Sequence, residues 1–478
     1  MENRRSFIKK IGTMGGAAVA FPYIAGNLHA QNNAKDTKFD ETPVRLGFVG
    51  TGLMGGGNME GFINGLKQKV VAYCDVDSGD YGFGNARKYA GSDAEAFIDY
   101  RVMFEKMKGK MDAVVISTPD HNHFAVAMSA IKHGYDLYLE KPLCFSIWQC
   151  RELARAAKAA GVKTQMGNFV HSGDGVRTVK EWIAAGLIGE VKEVVMWTCR
   201  PLKGVNQRPG GFTSWPTPDP IPANFDWDKW QNISTPTVSF TKRVVPLNWR
   251  RFWKFGSGSL GDIGCHILDV PMTALDLANP YRVDSRQRGG TDISIPLQDN
   301  VNFHFSTSSQ GKPITLKWYS GFVRPDKDGN FEAGYDKSFL PPLPEEYLKS
   351  GRGYEQLPDD GQFIIGTEGV LFSPAMHLMG APIVLPKSKT ADAKKIAKTL
   401  PRVRNNDHRL NFVDAVRGNV AQCASNFDEA AKLTEVVILG NMSLRTNSVI
   451  EWNPETMLCK NNPAANALIK PAMREGWY

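Results

Sequence analysis

Short apolar runs recur through the first third of the chain, at Val44–Val49, Val70–Cys74, Ala113–Ser117, Leu137–Leu139 and Thr164–Met166. Stretches of helical periodicity, such as Ala125–His133 and Gln149–Ala160, lie between them. Strands that alternate with helices predict a parallel, doubly wound sheet with helices on both faces. Beyond Gly167 the texture changes. Val191–Thr198, Val301–Ser306, Ile314–Tyr319, Gln362–Ile365 and Val370–Phe372 read as strands joined by long loops rich in Pro, Gly and Asp, such as Pro216–Pro222 and Pro341–Pro358. Two helices, near 406–417 and 427–445, close the chain. The pattern predicts an α/β domain over residues 43–166, followed over 167–478 by an α+β domain with a large, mainly antiparallel open sheet.

The N-terminus adds a compartment. Asn3-Arg4-Arg5-Ser6-Phe7-Ile8-Lys9-Lys10 precedes an apolar stretch from Ile11 to Ile24, and Ala30 offers a small residue for cleavage. Residues 1–30 therefore read as a twin-arginine export signal and 31–42 as a polar link, which places the mature protein in the periplasm or otherwise outside the cytoplasm. The apolar stretch is short of the roughly 20 residues that a membrane span needs, so no stable membrane insertion is expected. At 478 residues, 42% hydrophobic and 22% charged, the chain has the composition of an ordinary globular protein with two or three domains. Residues 1–30 hold four bases and one acid, so their loss takes the formal charge from +8 to +5. That excess is too small and too dispersed for a nucleic-acid partner. The cysteines at 74, 144, 150, 199, 265, 423 and 459 show no CxxC or zinc spacing and sit in apolar runs, where they read as buried thiols.

Gly50-Thr51-Gly52-Leu53-Met54-Gly55 follows the first apolar run directly, and Asp75 closes the second, 20 residues beyond Gly55. Gly50 permits the tight turn out of the strand, Gly52 lets backbone approach a pyrophosphate, and Gly55 lets the helix pack closely on the sheet. The pyrophosphate then sits on the free N–H groups of a helix N-terminus. A carboxylate at Asp75 accepts the ribose hydroxyls of NAD and repels the 2′-phosphate of NADP, so NAD is the expected cofactor.

Two further clusters carry chemistry. Glu140-Lys141-Pro142 follows the strand Leu137–Leu139, at the carboxyl edge where open α/β sheets bind ligands. Pro142 disfavours helical geometry at Lys141, which leaves the amine at that edge to hydrogen-bond a substrate hydroxyl. Asp262 and His266 are four apart in Leu260–Asp269, which reads as a helix that shows both on one face until Pro271 kinks or ends it. Histidine can take a hydroxyl proton and return it, with Asp262 orienting; Asp269 is left out of the catalytic set.

In this order, the glycine turn, Ser117-Thr118-Pro119-Asp120-His121-Asn122-His123, Glu140-Lys141-Pro142, Gly261-Asp262-Ile263-Gly264-Cys265-His266 and Gly366-Thr367-Glu368-Gly369 resemble the glucose-fructose oxidoreductase / inositol dehydrogenase / MocA (Gfo/Idh/MocA) family, from Val44 to the C-terminus. The resemblance implies an N-terminal Rossmann domain and a C-terminal open sheet that commonly mediates oligomerisation, here a homodimer or homotetramer. It implies a catalytic group of Lys141, Asp262 and His266, and sugars, cyclitols or their derivatives as substrates. Thr118 and Pro119 are expected beside the nicotinamide, with Asn122, His123, Glu140 and Lys141 as further cofactor contacts. His121 and His123, two apart with no third ligand, read as caps and cofactor contacts rather than a metal site. Asn168, His171 and Arg177 lie just past the domain junction. A related subgroup has glutamine where this chain has Phe169. Trp249-Arg250-Arg251-Phe252-Trp253 combines ring faces with guanidinium groups suited to a polyol. Asn168, His171, Arg250, Trp253 and His408 are the candidate substrate contacts.

Three functions fit these residues. The first is an exported oxidoreductase that acts on a hydroxyl of a sugar or cyclitol and keeps its NAD bound. The second keeps the site but reverses the hydride transfer after elimination or hydrolysis, as a redox-neutral glycosidase or lyase. The third is a nucleotide-binding sensor without catalysis, against which the presence of all three catalytic residue types argues.

Overall fold

The computed structural model describes residues 39–203, 211–332, 334–375 and 379–478. The signal segment 1–30 and most of the link 31–42 lie outside the described residues. Six strands, β1 Arg45–Val49, β2 Lys69–Cys74, β3 Glu95–Phe97, β4 Ala113–Ile116, β5 Asp136–Leu139 and β6 Thr164–Met166, form a wholly parallel sheet in the order β3-β2-β1-β4-β5-β6. The order reverses between β1 and β4, and the crevice outside the strand ends at such a reversal is where open α/β sheets take ligands. Leu46, Phe48, Val114, Ile116, Leu137 and Leu139 are fully buried, as expected of a sheet covered on both faces.

A second sheet of nine strands follows: β7 Val191–Thr198, β8 Arg282–Arg288, β9 Gln298–Phe305, β10 Ile314–Ser320, β11 Asp360–Gly366, β12 Val370–Ser373, β13 Ile383–Leu385, β14 Ile450–Asn453 and β15 Leu458–Cys459. Its order is β13-β12-β11-β7-β10-β9-β8-β14-β15, and every pairing except β7 with β10 is antiparallel. The two-sheet architecture is the α/β plus α+β arrangement that the hydrophobic pattern predicts. The helix Phe427–Thr446 joins the halves by packing against the helix Ile147–Ala160 and against β8 and β9. All seven cysteines are free and buried. Among the described residues no helix is long and apolar enough to cross a membrane.

Asp299, in β9, is buried and accepts a hydrogen bond from the Ser320 hydroxyl, with the Trp318 indole as a second neighbour. Burial pushes its carboxyl up to about 6, against the opposing pull of the Ser320 hydroxyl and the Trp318 indole. The folded state therefore holds this proton more tightly than the unfolded chain, so the stabilisation is complete below about pH 4 and is lost as pH rises through 6. Asp299→Asn, which cannot ionise, is expected to gain on the parent by only about 1 kcal/mol at pH 4.5 and by up to about 3 kcal/mol at pH 7.5. Thermal melts at the two pH values check this, and a constant difference across them would rule it out.

Candidate functional site

The glycine turn forms where the sequence places it. Gly50 adopts φ +81°, a conformation unfavourable to residues with a Cβ, and a Cβ there would also lie 2.8 Å from the backbone of Ser117. A Cβ on Gly55 would stand 2.0 Å from the Gly50 carbonyl oxygen, so only glycine lets the helix Leu53–Glu60 approach β1 this closely. Thr51 is buried and faces away from the cleft. Its N–H and hydroxyl donate to Asp75 Oδ2 at 2.7 and 3.2 Å, which fixes the acid at the end of β2. Asp75 Oδ1 accepts from the Asp77 N–H at 2.9 Å. Burial raises the Asp75 carboxyl against these hydrogen bonds.

The turn opens into a cleft of about 590 Å³. Gly50, Gly52, Leu53, Met54 and Asp75 line its nucleotide half, and Thr118, Pro119, Asn122, Glu140 and Lys141 the inner half. A backbone cradle without Cβ atoms, at a helix N-terminus and beside a buried acid, fits a dinucleotide. Tyr81, which the sequence reading missed, lies over Gly52, and its hydroxyl accepts the Leu53 N–H at 3.4 Å, one of the groups a pyrophosphate oxygen would take. Glu140 is held by Asn58, whose Nδ2 donates to Oε1 at 2.9 Å while Asn58 Oδ1 accepts from Arg409 at 3.0 Å.

Lys141 reaches the cleft through a cis Lys141–Pro142 peptide. Its Nζ donates to Asp262 Oδ1 at 2.6 Å and to the Asp262 carbonyl at 2.9 Å. Arg250 Nε lies 3.5 Å and Arg200 Nε 3.8 Å from the same carboxylate. Burial alone would raise the Asp262 carboxyl, but Lys141, Arg250 and Arg200 together hold it well below the usual carboxylate range.

Four features correct the sequence reading. Leu260–Gly264 is a π-helical turn, followed by short α-helical pieces at Cys265–Ile267 and Asp269–Ala274. The wider turn changes the i, i+4 alignment, and His266 is buried against the Phe169 ring, 5.2 Å away, off the wall that carries Lys141 and Asp262. The backbone stays helical through Leu268 and past Pro271, which sits in the first turn of the last piece, where a missing N–H is tolerated. His123 also leaves the cleft wall: its ring nitrogens face the carbonyls of Pro142 at 2.7 Å and Thr118 at 2.9 Å, so it braces both cofactor-side segments from behind.

Among the candidate substrate contacts, Arg250 alone lines the cleft. His408 is buried with Nε2 2.6 Å from the Met166 carbonyl and Nδ1 2.7 Å from the Ser172 hydroxyl, and burial lowers it to about 3. Asn168 Oδ1 accepts from Ser425 at 2.6 Å. His171 Nδ1 pairs with Asp269 at 2.8 Å, the acid left out of the catalytic set. Arg177 is spent on the carbonyls of Pro401, His171 and Gly173. Trp253 turns away to donate to the Thr291 carbonyl at 3.2 Å and borders a separate small cavity, and Trp249 takes the place in the cleft instead. His121 faces the Trp230 carbonyl at 3.0 Å, and burial lowers it to about 3.

A roof from beyond the first sheet covers part of the cleft. Asn224 donates to Asp77 at 2.6 Å and accepts the Ser78 N–H at 2.9 Å, while the Asp226 N–H bonds Val76 at 2.9 Å. Trp227, Trp230, Phe240, Trp249, Phe252 and Phe255 form its apolar body. The C-terminus adds Trp477, whose carbonyl accepts from Tyr100 at 2.5 Å and whose ring lies under Arg101 at 4.3 Å.

Two family models match the chain. One, an oxidoreductase-family NAD-binding Rossmann fold, covers residues 44–168, and the other, the C-terminal alpha/beta domain of the same family, covers 358–478. Inositol 2-dehydrogenase 1 of Saccharopolyspora erythraea is 31% identical over 149 residues, 31% of this chain and 43% of that protein. A glycosyl hydrolase family 109 protein of Parabacteroides distasonis is 27% identical over 204 residues, 40% of this chain and 43% of that protein. The matches thus span about two fifths of these relatives. The WlbA dehydrogenase of Bordetella pertussis, solved with NADH and UDP-GlcNAcA, superposes over 86% of this chain and 99% of its own with a TM-score of 0.56 at 13% identity, a likeness of fold. With its NAD-binding Rossmann domain and its C-terminal domain both matched, the chain belongs to the Gfo/Idh/MocA oxidoreductase family.

Proposed function

We propose that the protein oxidises or reduces a hydroxyl-bearing carbon of a sugar, a cyclitol or a derivative of one, with an NAD that stays bound. The observation that carries this is the Lys141–Asp262 pair at the inner end of a dinucleotide cleft. Bound NAD supplies the hydride acceptor or donor. An ammonium has three donors, and Lys141 gives two of them to Asp262, which leaves one for a substrate oxygen. That donor polarises the hydroxyl and stabilises the negative charge that develops on its oxygen. Asp262, kept ionised by its three cations, fixes the amine in place. The family resemblance assigns the proton's onward route to His266, which here stands off the wall that carries Lys141 and Asp262. Export through the N-terminal segment and assembly as a homo-oligomer through the second sheet belong to the same proposal.

The roof favours a second reading of the net reaction. A cofactor enclosed by Asn224, Phe225, Trp230 and Trp477 leaves slowly, so hydride taken from one position is best returned before the product departs. Such a cycle is the redox-neutral cleavage of a glycoside, and the family 109 relative is named as a glycosyl hydrolase. Protein purified without added nucleotide is expected to release stoichiometric NAD on denaturation, identified by mass spectrometry. Incubation with aryl glycosides then separates the readings: aglycone release with no net change in nicotinamide absorbance establishes the redox-neutral cycle, and net reduction establishes the dehydrogenase. Protein that neither carries nor binds NAD defeats both.

A further inference from the structure

Three cations converge on one carboxylate at the inner end of the cleft. Lys141 Nζ is 2.6 Å from Asp262 Oδ1, Arg250 Nε is 3.5 Å from the same oxygen, and Arg200 Nε is 3.8 Å from Oδ2. Arg200 is shared with Asp360, at 3.4 Å to each of its oxygens. Among the described residues, Lys141 neutralises Asp262 and Asp360 answers Arg200, which leaves Arg250 as a surplus charge. Its Nε is buried without a hydrogen-bond acceptor, its guanidinium lies over the Trp249 ring at 4.1 Å, and it shares the cleft wall with Lys141 and Arg200. A buried donor of a cation that lacks a hydrogen-bond acceptor is costly in the folded chain unless a ligand supplies one.

We propose that the substrate is an acidic sugar, whose carboxylate is received by Arg250 with Arg200 beside it. This rests on the reading of the cleft as a site of sugar oxidation and names the kind of sugar. A planar guanidinium meets a carboxylate through two parallel N–H groups, and the indole beneath it sets its plane. Arg250 and Lys141 share Asp262 Oδ1, so their nitrogens are no farther apart than the sum of 3.5 and 2.6 Å, a span that a single pyranose bridges with its carboxylate on one and its reacting hydroxyl on the other. Arg250 is thereby a specificity residue. The competing anion is the pyrophosphate of the cofactor, so the test uses protein already loaded with NAD.

D-Glucuronate, D-galacturonate and N-acetylneuraminate, each paired with its methyl ester, are titrated into NAD-loaded protein and followed by tryptophan fluorescence. At least one acid is expected to bind about tenfold or more tightly than its ester, because a hydrogen bond to a charged group is lost with the ester. That margin shrinks as salt is raised, disappears in Arg250→Gln and is partly kept in Arg250→Lys. Equal binding of every acid and ester, or no binding by any acid, overturns the proposal, and this comparison needs no variant. Loss of NAD itself from Arg250→Gln overturns it too, since the guanidinium then serves the pyrophosphate. Parent protein that holds no NAD fails the underlying reading instead.

Discussion

Lys141→Met is expected to lower turnover by about 10²- to 10⁴-fold while the protein still folds and retains NAD. The methionine keeps the length of the buried stem and removes the one group that meets both Asp262 and a substrate oxygen. Removing one partner of a buried ion pair ordinarily costs about 3–5 kcal/mol, because the other is left uncompensated. Here Asp262 keeps Arg250 at 3.5 Å and Arg200 at 3.8 Å, so it stays ionised and the loss of stability falls below that range. Lys141→Arg is not expected to rescue turnover, since a rigid fork cannot place a single donor where the ammonium places its third. Rates, thermal melts and released NAD, measured on the same preparations, separate a chemical defect from a folding one. Unchanged turnover in Lys141→Met would mean that the amine is not at the reacting hydroxyl.

Arg200 and Trp249 belong to this site as much as Lys141 does, and the contrast shows what a sequence makes visible. The glycine turn was legible because Gly50, Gly55 and Asp75 answer demands of the backbone that few other residues meet. Lys141 was legible because it follows a strand of a predicted parallel sheet, and such strand ends share one edge. Arg200 also follows a strand, two residues beyond Thr198, but in a mostly antiparallel sheet a strand end carries no such meaning. Tyr81, Asn224 and Trp477 come from loops and from the tail, where no periodicity marks which side chain turns inward. His408 and Trp253 were misread for a related reason. A polar or aromatic residue near a site looks the same in sequence whether it faces substrate or satisfies a buried carbonyl. At the level of elements, β8 escaped notice because Arg282, Asp284, Arg286 and Arg288 leave little apolar alternation, although Asp284 is bonded to His304 of the neighbouring strand at 2.6 Å. The strand β3 is three residues long, two of them exposed. The helix His408–Val416 was placed correctly along the chain, but sequence spacing does not show that Phe412 returns to the first sheet, where its ring lies 6.2 Å from Phe62 and 5.8 Å from Tyr138.

Gly55→Ala is expected to be the most damaging change of a single atom in the nucleotide half. The added Cβ would stand 2.0 Å from the Gly50 carbonyl oxygen, a backbone atom that cannot swing aside as the end of a long side chain can. Either the helix Leu53–Glu60 lifts from β1 or the turn at Gly50, already at φ +81°, is pushed out of shape, and both disturb the free N–H groups at the helix start. Overpacking of this kind costs about 1–3 kcal/mol, which lowers the melting temperature of a domain of this size by several degrees. NAD affinity should fall by more than stability does, because the displaced turn is the element that meets the pyrophosphate. Gly57→Ala, in the same helix with open space around its Cβ, makes the decisive control. Exchanging glycine for alanine inside a helix favours it by about 0.8–1 kcal/mol, so this variant is expected to melt at or slightly above the parent temperature and to keep its cofactor. Melting curves together with titration of NADH fluorescence test the pair. Should both variants behave alike, close approach of helix and turn is not what the third glycine provides, and the nucleotide half must be held together by other contacts.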